Sequence, residues 1–157
     1  MAEQYLLISA ATATPTHVLD ILRPLLDAIP VEIGLANQRR RLTVHAWHVD
    51  HPDDLETANT HHIPDAHVMA VIRYSPTTSS CPPDDPHGDN MRRDIITAAL
   101  TLIHTTTADA VLTADDTVVL RNRQPDGITL NTTWPGWTDI PTLTPISTQH
   151  PRVAERR

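Results

Sequence analysis

Histidine is the residue type in this chain most able to do chemistry. Ten are present, and His45, His48, His51, His61, His62, His67 and His87 crowd the central third. Neutral imidazoles are good zinc ligands, but three or four must converge at about 2 Å, which spacing supports only on one helical face or in a tight turn. His45 and His48 stand an odd number apart on an expected strand, so they point to opposite faces, and His61-His62 falls in an expected loop. No metal and no cofactor is therefore expected. Solvated histidines, or a pH-sensitive surface, account for the pattern better.

The carboxylate pairs Asp53-Asp54, Asp84-Asp85 and Asp115-Asp116 would need burial and opposed pKa shifts to serve as acid and base. Exposed turns supply neither. All 12 basic residues are arginine, so a Schiff-base lysine and a phosphate-binding P-loop are both excluded. With four glycines and no Gly-x-Ser-x-Gly, His-Glu-x-x-His or Gly-x-Gly-x-x-Gly pattern, the sequence offers no catalytic residue. A small metal-dependent or acid/base enzyme using the central histidines stands as the alternative, and an accessory or structural subunit of a larger complex as another.

Residues 50–89 hold Asp50, Asp53, Asp54, Glu56, Asp65, Asp84, Asp85 and Asp89 against Arg73 alone, and so carry the whole formal charge of −7. Such a field repels phosphate backbones and draws basic partners. A protein partner is expected, not nucleic acid and not a membrane, with Asp53, Asp54, Glu56, Asp84 and Asp85 as its contacts. Trp134-Pro135-Gly136-Trp137 adds two indoles that could anchor an interface or cover a core edge. Cys81, the single cysteine, can form no internal disulfide. With neither a signal-like start nor an apolar run near the roughly 18 residues of a spanning helix, a cytoplasmic protein is expected.

The elements that position these residues follow from apolar periodicity. Tyr5 to Ile8 reads as a buried strand. Thr14-Pro15 opens a helix with Val18, Leu22, Leu25 and Ile29 on one face, kinked or split by Pro24 and ended by Pro30. Val31–Leu35, Leu42–Val49 and Val68–Ile72 read as strands, and 50–66 and 75–89 as irregular acidic loops. Asp89 or Asn90 caps a second helix lined by Met91, Ile95, Ala99, Leu102 and Ile103. Ala110–Thr113, Thr117–Asn122 and Ile128–Asn131 form a meander turning at Asp115-Asp116 and Pro125-Asp126-Gly127.

At 157 residues, 39% of them hydrophobic, the chain suits one domain. The expected fold is α+β over residues 1–140, a mostly antiparallel sheet of six or seven strands with two main helices in the order β-α-β-β-β-α-β-β-β. Residues 141–157 form a Pro/Thr-rich, poorly ordered tail in this reading.

The order of these segments resembles the Sit-type immunity proteins of bacterial polymorphic toxin systems. Carrying the likeness are the strand Tyr5-Leu6-Leu7-Ile8, a middle strand ending at Arg73, and a helix leading into Asp109-Ala110-Val111-Leu112. Val118-Val119-Leu120-Arg121, Leu130-Asn131 and the two tryptophans complete it. Asp115-Asp116 stands where an Asn-Gly type of turn is common in that group. The resemblance implies a non-catalytic inhibitor that sequesters a cognate toxin protein, with the adjacent gene as the candidate to encode it.

Overall fold

A computed structural model describes residues 2–75 and 86–155. Its strands are β1 (Glu3–Ser9), β2 (Ile29–Pro30), β3 (Leu35–Asn37), β4 (Leu42–His48), β5 (Val68–Tyr74), β6 (Ala110–Ala114), β7 (Thr117–Arg123), β8 (Gly127–Asn131) and β9 (Arg152–Val153). They make one sheet in the order β2-β3-β4-β5-β1-β6-β7-β8-β9. Every pairing is antiparallel except β8 with β9. The fold is α+β with a mostly antiparallel sheet, as the sequence indicates, but with nine strands among the described residues.

Period-2 alternation sends each central strand's side chains to two faces. Tyr5, Leu7, Ala70, Ile72 and Leu112 join the larger core beneath α1 (Pro15–Leu25) and α3 (Pro86–Thr106). Ile8, Met69 and Val111 point the other way, into a smaller cluster with Ala58 and Ile63. Helix α1 begins as its residues dictate: the Thr14 side chain accepts from the His17 N–H at 3.1 Å, and Pro15 occupies the first turn. It runs unbroken because Pro24 falls in its last turn. Its buried stripe is Val18, Leu22 and Leu26, while Leu25 and Ile29 are exposed. Asp27 takes a φ of 50°, so the chain leaves the helical path before Ile29 can share its face.

Four further expectations are corrected. Val31–Leu35 is not a strand: β2 and β3 flank a turn at Gly34, whose φ of 86° brings it so near the Val44 carbonyl that a Cβ would lie 2.0 Å from it. Residues 50–66 are no irregular loop, because α2 (Pro52–Thr60) forms within them. The His51 Nδ1 caps it by accepting from the Asp53 N–H at 3.1 Å, Pro52 starts it, and Asp53 and Asp54 complement the positive end of its dipole. Helix α3 starts at Pro86, so Asp89 lies inside its first turn, buried and bonded to Arg92 at 3.1 Å, and does not act as a cap.

After α4 (Gly136–Asp139), the expected tail carries a 3-10 turn at Pro141–Leu143, α5 (Thr144–Ser147) and β9. It is held because Leu143 is fully buried in the main core. The turn at Asp115-Asp116 adopts φ of 47° and 71°, the all-positive geometry of a tight hairpin for which Asn-Gly is the usual choice. Gln4 fastens it, donating its N–H to the Asp115 Oδ1 at 3.1 Å and accepting from the Asp115 N–H at 2.9 Å.

Candidate functional site

Among the described residues, the face of the sheet opposite α1 and α3 is covered by α2 at one end. This helix has a single buried residue, Ala58, and settles on the sheet with Ile63, Met69 and Trp47. Such an anchor leaves most of α2 outside: Asp53, Leu55 and Glu56 are exposed, as are Asp50 before it and Asp65 after it. Asp54 turns inward, accepting from the Trp47 indole N–H at 3.0 Å, which fixes the helix to β4.

Between the C-terminal half of α2 and the β7–β8 ribbon lies a cleft of about 560 Å³. One wall is Glu56, Thr57 and Thr60; the other is Asp116, Thr117 and Val118 from the start of β7; Asn131, Thr133 and Glu155 close it. At its base sits Arg121, which points to this face because its neighbour Leu120 points to the main core. A cation buried this deeply needs partners. Glu155 accepts from its Nε at 3.0 Å, and its Nη1 donates to the His61 carbonyl. Arg121 thereby joins β7, the end of α2 and the C-terminal segment.

Asn131 braces the same base from β8. Its Nδ2 donates to the Val118 carbonyl at 2.7 Å, while its Oδ1 accepts from the Thr133 N–H, the Thr133 hydroxyl and the Glu155 N–H. The His61 imidazole is held below the usual histidine range, first by burial and then by the Arg121 charge, so it is uncharged near neutrality. Among the described residues, the cleft is lined by the carboxylates Glu56, Asp116 and Glu155 and by the Arg121 guanidinium, which Glu155 engages.

The residues singled out from sequence scatter. Asp53 and Glu56 come together on the exposed side of α2, with the Asp53 side chain 86% exposed, whereas Asp54 is committed to Trp47. Asp84 and Asp85, like Cys81, lie outside the described residues. Trp134 and Trp137 are not surface anchors: each is 8% exposed within the main core, their rings meet edge to face at 5.3 Å, and Trp137 donates to the Val119 carbonyl at 3.0 Å. Gly136 allows this pairing, since a Cβ there would stand 2.3 Å from the Trp134 ring.

The histidines are dispersed. His51 caps α2, His48 and His67 stack edge to face at 5.3 Å, and His61 backs the cleft. Among the described residues, no group of three or more His, Cys, Asp or Glu side chains is disposed to hold a metal ion. Nor is any helix among them long and apolar enough to cross a membrane.

Sequence reasoning missed Arg121, Asn131, His61 and Glu155 as members of one site. An arginine directly after the apolar run Val118–Leu120, within the same strand, is the available signal, because a buried guanidinium requires a carboxylate that the chain must bring to it.

The SitI3-like family model matches residues 3–141, which takes in both sheet faces, the cleft's two walls and the Trp134–Trp137 pair. The chain belongs to the SitI3-like family. That membership makes it an immunity-type protein. No curated protein and no solved structure matches it.

Proposed function

We propose that this SitI3-like protein is a cytoplasmic, non-catalytic inhibitor that sequesters a cognate basic toxin protein through the acidic side of α2. The observation that carries this reading is the exposure of Asp50, Asp53, Glu56 and Asp65 in and around one short helix. Among the described residues, Arg40 pairs with Asp94, Arg92 with Glu3 and Asp89, and Arg121 with Glu155. None of these pairs involves Asp50, Glu56 or Asp65, and Asp53 meets the His51 imidazole at 3.7 Å.

Toxins that attack nucleic acids or membranes often carry basic surfaces, and a concentrated negative patch speeds encounter with them by long-range attraction. The resulting association is fast and sensitive to salt, since the Debye length shrinks from about 10 Å at 0.1 M to about 3 Å at 1 M. No cofactor and no bond-making step is required for this work. Stopped-flow association with the product of the adjacent gene tests it. Raising salt from about 0.05 to 0.5 M slows the wild type at least about tenfold, and Asp53→Arg with Glu56→Arg lowers the low-salt rate similarly. An association rate indifferent to both changes contradicts the reading.

A further inference from the structure

We infer that the β2–β3 edge of the sheet is a self-association surface, on which a second copy of this chain docks about a two-fold axis. Large apolar side chains left in water are concentrated there. Of the six among the described residues, Leu25, Ile29, Val31 and Ile33 all fall between positions 25 and 33, and Ile29 and Ile33 keep 67% and 69% of their surface exposed. Single exposed apolar residues are ordinary, but four at one edge, on the order of 400 Å² together, reach the size of patch that marks an interface. Local geometry puts them outside. The left-handed Asp27 turns the chain away from α1, and the turn at Gly34 folds β2 back on β3, so this segment forms the rim of the sheet.

Backbone and charge together select the occupant. Although β2 is a terminal strand, Pro30 lacks the N–H that an added strand would need, so the edge suits side-chain packing rather than strand addition. Its charges match themselves. Ile29 pairs with Ala36 and Pro30 with Leu35, which sets the turn carrying Glu32 at one end of the edge and the turn carrying Arg39 at the other. Both side chains are exposed, and neither forms an ion pair among the described residues. A two-fold axis beside Ile29 and Pro30 reverses the second copy, so that Glu32 of each chain comes opposite Arg39 of the other with the isoleucines packed between. Arg23 and Arg41 add to the positive end, while Asp27, whose carbonyl accepts from Asn37 at 2.8 Å, offsets one of these charges.

The same arginines would repel a basic toxin. Dimerisation through this edge is also independent of the immunity reading, because α2 packs over Ile8 and Met69, away from β2. Two such patches bury on the order of 800 Å² of apolar surface besides their charged rim, at the low end for a specific interface, so a micromolar dimer is expected.

Sedimentation velocity of the whole protein from about 5 to about 500 µM tests this. The average mass is expected to rise from that of one chain towards that of two. Ile29→Asn and Ile33→Asn, at exposed positions outside the core, weaken dimerisation at least about tenfold and leave urea stability unchanged. Glu32→Arg and Arg39→Glu each weaken it at least about threefold, and the double variant recovers the wild-type constant, because the swap restores opposite charges across the axis. A chain that stays monomeric at about 500 µM, a dimer indifferent to both isoleucine variants, or a double charge variant no better than the single ones overturns the inference. So does loss of toxin binding in Ile33→Asn with self-association unchanged, which would give this edge to the toxin.

Discussion

Beneath α1 and α3, side chains from both helices and the central strands interdigitate until Val18, Leu22, Met91, Ile95, Leu112 and Leu120 are almost wholly removed from water. Across the sheet, among the described residues, the same strands are met by α2, whose single buried residue, Ala58, belongs to a five-residue cluster, and beside it lies a polar cleft braced by Arg121 and Asn131. The first side is organised chiefly by burial. The second is organised by hydrogen bonds and charge, and its outer surface is free to change without loss of the core. On the inhibitor reading proposed above, this division lets the matching surface vary without cost to the fold.

Truncation on the closed side gives the largest contrast. Ile95→Ala removes a fully buried side chain from α3 and is expected to cost about 3–4 kcal/mol, whereas Leu55→Ala on the outer side of α2 changes stability by less than about 0.5 kcal/mol. Urea denaturation of the two variants measures both. Equal losses would mean that α2 contributes to the core as much as α3 does.

Asn131→Ala probes the bracing of the open side. Four hydrogen bonds are lost, and the Val118 carbonyl and the Glu155 N–H are left without their partner, so about 2–3 kcal/mol is expected, with faster amide exchange at residues 152–155. A change below about 1 kcal/mol would show that water replaces the asparagine without penalty.

The smallest effect is one of pH. His61 binds its proton less readily in the folded protein than in the unfolded chain, so below about 6.5 the unfolded state takes up more protons. Its contribution is intact above that pH and is lost as pH falls through the lowered folded value. His150 is shifted the same way, by burial and by His104, and adds to the slope. His61→Gln flattens the stability profile below about pH 6.5 without abolishing its slope. A profile identical to wild type would remove His61 from the energetics of the cleft.

What the sequence disclosed tracks these two sides. Apolar periodicity marks anything that builds the closed side, so β1, β5, the helix through Met91 and Ile103, and the β6–β7–β8 meander were legible. Helix α2 was not, because it buries one alanine and has no apolar stripe, although His51-Pro52-Asp53-Asp54 carries a capping signal that composition alone can reveal. The last segment was hidden by its prolines and threonines, while its anchor is the single fully buried Leu143 and its function depends on Glu155 reaching Arg121 across 34 residues. Polar pairings over such separations leave no periodic trace. The tryptophans were ambiguous for another reason: an indole that anchors a partner and one that seals a core have the same sequence, and only their burial distinguishes them.

The division between a structural side and a recognition side is tested most directly by hydrogen–deuterium exchange on the complex with the cognate toxin. Protection gained on binding is expected across residues 52–62 and the hairpin at 115–118, with α1 and α3 unchanged. Protection confined to α1, α3 or the β2–β3 edge, with residues 52–62 exchanging as they do in the free protein, would contradict it.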